Sequence, residues 1–382
     1  MKAILKYPLY RRISPSNEEE AKGYLPVGSV INITKIESGV SIDTFSHWYL
    51  ADDGFYYWGG GVDALESSLP LAGTNAFAGD FWFKDLGIRN IWSQHSEMGE
   101  RAQVLILDSG VNKNITQIAA AIKEPVLNFV PDSTSTTSND PFSHGTHCAS
   151  LIAARDPEQF VGAAPACQLL VGKITESGKV KDAGTMKAAL REYLKDQYDI
   201  DIISISQQLF KNDDELKVLV EDHVKKGRIV VASMGNDPLS KNQNFDRYPG
   251  RYEVCIGVGS CSADKKLSSF SIFPSKTSIF CFGEQILSYQ KNDTPTPLKG
   301  TSQATAIVAG ICALVISWLK KNGFTYTPAA IRDLLQKYST PLNGSQGPVI
   351  HPILIFNTLD KFKKHEKRNL QDCIDADLVS GH

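Results

Sequence analysis

The amino-acid sequence predicts an α/β protein built on a mainly parallel sheet and preceded by a small all-β unit. Two observations predict this. Beyond residue 80, apolar β-rich runs at 104–107, 169–171, 200–205, 228–232 and 254–258 alternate with helical stretches at 183–197 and 213–226. Strands without strict polar alternation indicate a sheet covered on both faces, the usual setting of parallel strands. Before residue 67 the texture is different, with short aromatic runs separated by turn signals. A length of 382 residues suits one large domain plus one small one.

In chain order, the first unit spans 1–66. Its runs are Ser29-Val30-Ile31-Asn32-Ile33, His47-Trp48-Tyr49-Leu50 and Phe55-Tyr56-Tyr57-Trp58, and Asp52-Asp53-Gly54 between the last two is a hairpin signal. The cluster around Trp48, Tyr56 and Trp58 reads as the core of a small barrel in preference to a ligand groove. Residues 67–79 are small and polar with Pro and Gly, the composition of a linker. The α/β domain is placed at 80–360. A polar tail at 361–382 completes the chain, its basic run 361–368 reading as a solvated helix end.

Composition narrows the function classes. Lys and Arg number 40 against 42 Asp and Glu, for a formal net charge of −2, so the overall balance calls for neither nucleic acid nor an anionic membrane. Lys6, Pro8 and Arg11 interrupt the N-terminal apolar stretch, which therefore lacks the h-region of a secretory signal. Seven cysteines, at 148, 167, 255, 261, 281, 312 and 373, are odd in number, lack metal-ligand spacing and mostly sit in apolar runs. They read as buried reduced thiols, and the expected location is cytoplasmic. Residues 302–319 are eighteen without a charge, the lower limit for a membrane span. Their early Ser, Gln and Thr and their many Ala and Gly suit a helix packed inside a protein instead.

Four strand ends or helix starts carry polar residues that an ordinary core does not need. The run 104–107 leads into Asp108-Ser109-Gly110, a carboxylate at a strand end followed by a turn; alone, this is an ordinary turn former. His144-Gly145-Thr146-His147 follows a polar loop at 132–140 and opens a small-residue helix at 148–154. The two histidines fall three apart, so a metal pair is conceivable, yet no third ligand has fitting spacing. The run 229–233 ends in Met234-Gly235-Asn236, where the Asn amide can donate into a cleft or simply occupy a turn. Gly300-Thr301-Ser302-Gln303-Ala304-Thr305 opens the long apolar helix. There Ser302 is either an N-cap or a hydroxyl placed where helix N–H groups favour developing negative charge.

Taken together, in the order Asp, His, Asn, Ser, these pieces resemble the subtilisin-like serine peptidases, the subtilases of peptidase family S8, over about residues 80 to 345. The resemblance implies a subtilisin-like three-layer fold and a serine endopeptidase that uses no cofactor and no metal in its chemistry. It implies Asp108, His144 and Ser302 as a catalytic triad, His144 being selected over His147. Asn236 takes the side-chain position of the oxyanion hole, and Ser206, Gln207, Gln208, Met234 and Gly235 fall at substrate-binding positions. The first unit resembles a bacterial SH3-like domain through its Trp-Tyr strand, turn and Tyr-Tyr-Trp-Gly. The expected partners are a protein or peptide substrate and a protein bound by that domain.

Departures from the family pattern are visible. Ala306 replaces a usual Pro after Ala-Thr, which a helix start tolerates. Cys148 resembles the proteinase K group, where a thiol also lies under the catalytic histidine. Ser206-Gln207-Gln208-Leu209 stands where Ser-Leu-Gly-Gly is common, so the substrate preference differs from the familiar one. Two rivals share the motifs: a peptide ligase or macrocyclase on the same fold, and a catalytically silent binding protein.

Overall fold

A computed structural model describes residues 2–5, 9–16, 20–26, 29–42, 45–58, 62–66, 81–131, 133, 140–155, 161–236, 246–272, 278–290, 295–344, 347–364 and 368–379. The chain divides into two compact units, Met1–Thr74 and Asn75–His382. The linker placed at 67–79 lies outside the described residues.

In the first unit the strands are β1 (Lys2–Leu5), β2 (Leu9–Tyr10), β3 (Tyr24–Leu25), β4 (Val30–Ile42), β5 (Phe45–Ala51), β6 (Tyr56–Trp58) and β7 (Val62–Glu66). Five form an antiparallel sheet in the order β6-β5-β4-β1-β7, and β2 pairs with β3. The Asp-Gly signal does join β5 to β6: Gly54 N donates to Ala51 O at 3.0 Å. Alternation along these strands turns Ala3, Leu5, Ile31, Ile33, Tyr49 and Tyr57 into one buried cluster. Trp48, also buried, donates from Nε1 to Val40 O at 2.9 Å. Of the cluster read as core, Trp48 is buried while Tyr56 and Trp58 are half-buried; Tyr57, between them, is buried as well.

In the second unit the elements are α1 (Phe81–Asp85), α2 (Ile88–His95), β8 (Gln103–Asp108), α3 (Thr116–Ala119), β9 (Leu127–Asn128), α4 (His144–Ala153), β10 (Gln168–Lys173), α5 (Gly184–Tyr193) and β11 (Ile202–Ile205). They continue as α6 (Asp214–Lys225), β12 (Ile229–Ser233), β13 (Ile256–Cys261), β14 (Ile279–Phe282), β15 (Ile286–Tyr289), β16 (Pro295–Leu298) and α7 (Thr301–Lys321), ending with α8 (Pro328–Lys337), β17 (Thr340–Pro341), β18 (Pro348–Val349), α9 (Pro352–Phe362) and α10 (Leu370–Val379). Nine strands form one sheet in the order β17-β18-β14-β13-β12-β11-β8-β10-β9. Every pair is parallel except β17 with β18.

Side-chain alternation gives this sheet two apolar faces. Leu105, Leu107, Ile203, Ile205, Val230 and Ala232 pack with Met186, Leu190 and Tyr193 of α5 and Leu216 and Val220 of α6. Their alternates, among them Val104, Ile106, Ile202 and Val231, face the opposite layer, where α4 and α7 lie. Helix α7 has the length and apolarity of a membrane span, yet the whole apolar window is buried inside the unit. The chain segment at 361–382 is more than a polar tail. Leu370, Cys373 and Ile374 of α10 are buried, and α10 packs against α8, because these apolar residues recur at helical spacing.

The topology locates the site. Strand order reverses at β8, which has β10 on one side and β11 on the other. Loops leaving the strand ends diverge there and open a crevice at the carboxyl edge. Asp108 is the last residue of β8.

Candidate active site

Asp108 is fully buried at the end of its strand. Its Oδ1 accepts from Ser109 N at 2.7 Å, meets His144 Nδ1 at 2.7 Å and accepts from Gln207 Nε2 at 3.3 Å. Its Oδ2 finds no donor among the described residues. His144 is the first residue of α4, following Ser143 in a left-handed conformation with φ 70, and retains 16% side-chain exposure. Burial of the imidazole opposes its protonation, but the Asp108 carboxylate outweighs this and holds its pKa well above the ordinary 6.5. An imidazole fixed through Nδ1 leaves Nε2 as its free basic nitrogen.

The histidine three residues on behaves differently. His147 is fully buried, its Nε2 bonded to Thr296 O at 3.1 Å, and burial pushes its pKa down to about 3. It is a neutral core residue that ties α4 to β16.

Ser302 sits in the first turn of α7 and is 7% exposed. Its Oγ donates to Ser206 O at 3.1 Å, and Ser206 Oγ donates to Ser302 O at 3.1 Å. This reciprocal pair fixes the end of β11 to the start of α7. Cys148, one turn along α4, bridges the two halves: its Sγ lies 4.0 Å from His144 Nδ1 and 4.0 Å from Ser302 O. Burial raises the thiol pKa, so it stays protonated and unreactive at neutral pH.

Asn236 follows β12. Its Oδ1 accepts from Thr301 N at 2.9 Å and Thr301 Oγ1 at 3.0 Å, which consumes the acceptor end of the amide and fixes its orientation. The Nδ2 donors are turned outward beside Gly300, where an added Cβ would stand 3.0 Å from Nδ2. Ser302 N belongs to the first helical turn, whose N–H groups have no intrahelical acceptor. The site thus offers a hydroxyl bonded to the Ser206 carbonyl, an imidazole oriented by a carboxylate, and amide donors at the start of α7.

The residues read as substrate-binding separate. Ser206 is committed to Ser302, and Gln207, 4% exposed, turns inward to Asp108. Met234 is fully buried, its thioether against Gly250 and Gly257, so it packs the sheet and its side chain is not presented to a ligand. Gln208 and Gly235 remain at the crevice, touching each other across it.

One residue escaped the sequence reading. Asp140, fully buried, accepts from Ser109 Oγ (2.8 Å) and Ser143 N (2.9 Å) on Oδ1, and from Thr146 N (2.7 Å) and Thr146 Oγ1 (2.6 Å) on Oδ2. Ser109 Oγ also accepts from Gly145 N at 2.9 Å. These bonds clamp the end of β8 to the start of α4, which approach so closely that a Cβ on Gly145 would stand 2.1 Å from Gly110 O. Only the aspartate's place four residues before His144 hinted at this; most of the polar loop ahead of it, 132 and 134–139, lies outside the described residues.

The donor atoms of Asp108, His144 and Cys148 lie within 4.8 Å of one another. An ion there would displace the proton shared by Asp108 and His144, and with it the orientation of the imidazole.

A match to the Subtilase family, Peptidase S8, covers residues 99–350. The chain belongs to the subtilase family. The match holds β8, α4, β12 and the start of α7, while the unit Met1–Thr74 lies outside it. This subtilase is 30% identical to Subtilisin E of Bacillus subtilis (strain 168) over 254 residues, 65% of this chain and 62% of the relative. It is 32% identical to the Major intracellular serine protease of the same organism over 233 residues, covering 59% and 71% respectively. The chain thus spans 62% of the length of Subtilisin E. A crystal structure of a cold adapted subtilisin-like serine proteinase superposes with a TM-score of 0.58 at 23% identity, covering 67% of this chain and 90% of that one. That likeness establishes the subtilisin-like three-layer fold.

Proposed function

We propose that this subtilase is a serine endopeptidase with Asp108, His144 and Ser302 as its triad and Asn236 as oxyanion donor. The observation that carries the reading is the 2.7 Å bond between Asp108 Oδ1 and His144 Nδ1 at the point where the strand order reverses, with Ser302 opening the helix beside it.

Turned from the Ser206 carbonyl towards His144, Ser302 Oγ attacks the peptide carbonyl carbon while Nε2 takes its proton. Asp108 keeps the tautomer correct and stabilises the imidazolium. The carbonyl oxygen becomes an oxyanion between Asn236 Nδ2 and Ser302 N. Loss of such a donor has been worth about 3–4 kcal/mol in a subtilisin. The imidazolium returns its proton to the departing amine, the C–N bond breaks, and an acyl-enzyme remains. Water, activated by the same imidazole, hydrolyses the ester and restores Ser302. A fluorophosphonate should therefore label Ser302, and Ser302→Ala should abolish labelling and hydrolysis together.

The N-terminal unit we read as an SH3-like module that engages a protein partner. Its small antiparallel sheet with buried Trp48 and Tyr57 supports the reading. Seven buried cysteines, none in a disulfide, support a reducing, cytoplasmic setting.

A further inference from the structure

The carbonyl attacked by Ser302 has its oxygen beside Asn236 Nδ2, so the residue that owns this carbonyl has its Cα one bond away. Its side chain must enter the space between the two strand ends that flank the nucleophile. One wall follows β11 and is tied to Ser302 through the reciprocal Ser206 bonds. The other follows β12 and is tied to Thr301 through Gly235 N, at 3.2 Å, and Asn236 Oδ1. The strands are neighbours as far as Ile205 and Ala232, and the walls separate beyond that pair.

Gly235, with φ +103, leaves the second wall bare. The space this creates is already taken. Gln208 Oε1 lies 2.1 Å from where a Cβ on Gly235 would stand, and Arg247 Cγ lies 2.8 Å from the same point. Gln208 Oε1 is buried and accepts no hydrogen bond among the described residues, carrying the desolvation penalty of an unpaired acceptor. Pressed against bare backbone, this amide narrows the space.

We propose that Gln208 is the specificity-determining residue, closing the acyl-side pocket so that the enzyme cleaves after small residues, Gly, Ala or Ser, and rejects large apolar ones. This rests on the serine endopeptidase reading and names its substrate class. A large side chain can enter only by expelling the Gln208 amide from its place over Gly235.

The test is a series of succinyl-Ala-Ala-X-p-nitroanilides with X as Gly, Ala, Ser, Leu or Phe, assayed by kcat/KM on the full chain and on Gln208→Gly. Wild type should favour Ala over Phe at least tenfold, and Gln208→Gly should raise the Phe-to-Ala ratio at least tenfold. Gln208→Ala and Gln208→Ser, less disruptive of the backbone after β11, should shift the ratio in the same direction. A wild-type preference for Phe or Leu, or a smaller rise in the ratio in Gln208→Gly, overturns the assignment. Fluorophosphonate labelling of the same samples separates the failures. Labelled enzyme without the shift loses the pocket assignment alone, whereas enzyme that neither labels nor cleaves loses the peptidase reading and this inference with it.

Discussion

Asp140→Ala probes the clamp between β8 and α4. Its carboxylate accepts four hydrogen bonds of 2.6–2.9 Å in a fully buried place. Burial pushes its pKa up even against those bonds, so the charge itself is held at a cost and the contribution comes from satisfying the donors. The hydroxyls of Ser109 and Thr146 can rotate to other acceptors, and Ser143 N–H keeps the backbone carbonyl of residue 140 at 3.3 Å, but the backbone N–H of Thr146 has no substitute. One buried N–H left unpaired costs about 2 kcal/mol. For a domain of this size that lowers Tm by about 4 °C. Thermal unfolding should be followed in a Ser302→Ala background, which excludes self-digestion. Asp140→Asn keeps part of the acceptor set and should fall between wild type and Asp140→Ala. In the Ser302 enzyme, kcat should fall about a hundredfold, since a displacement of about 1 Å between His144 and Asp108 is enough for that. A Tm within 1 °C of wild type together with an unchanged kcat would refute the reasoning.

Other perturbations separate the remaining roles. Asn236→Ala should lower kcat by about a hundredfold or more at little change in KM; a pure KM effect would make it a ground-state contact. His144 must be neutral to act as base, and its pKa is raised, so kcat/KM should fall as pH drops through a value above 6.5. Gln207→Leu removes a donor from Asp108 Oδ1 and leaves more negative charge facing the imidazole, which moves that acid limb to higher pH. A limb that stays in place would mean the amide contact has no electrostatic effect. A chain beginning at Gly79 should cleave a short activated peptide at a kcat comparable to the full chain, because every proposed catalytic residue lies within 99–350; a tenfold loss would give the N-terminal unit a part in building the site.

Much of this architecture was legible because the physics is local. Buried parallel strands are written as unbroken apolar runs, and β8, β10, β11, β12 and β13 fall on the runs at 104–107, 169–171, 200–205, 228–232 and 254–258. Asp108, His144, Asn236 and Ser302 stood out because each polar residue interrupts or abuts such a run. Other features depend on direction and long-range closure, which composition does not encode. Gln207 and Gln208 are adjacent glutamines, yet an irregular segment sends one to Asp108 and the other over Gly235. Asp140 looked like one more polar loop residue because its partners Ser109 and Ser143 meet only when β8 and α4 close together. In the first unit the run 29–33 marked only the start of β4, which continues to Ile42; Lys, Glu, Ser and Gly beyond Ile33 carry no strand signal of their own, and pairing with β5 extends it.

The central claim is that Ser302 is a nucleophile activated by the His144–Asp108 pair. Intact-mass and peptide-level mass spectrometry after reaction with a fluorophosphonate tests it most directly, on wild type, Ser302→Ala and His144→Ala. The account predicts one phosphonyl adduct on the peptide containing Ser302 in wild type, none in Ser302→Ala and labelling slowed by at least a hundredfold in His144→Ala. An unlabelled wild type, or equal labelling of Ser302→Ala, would contradict it.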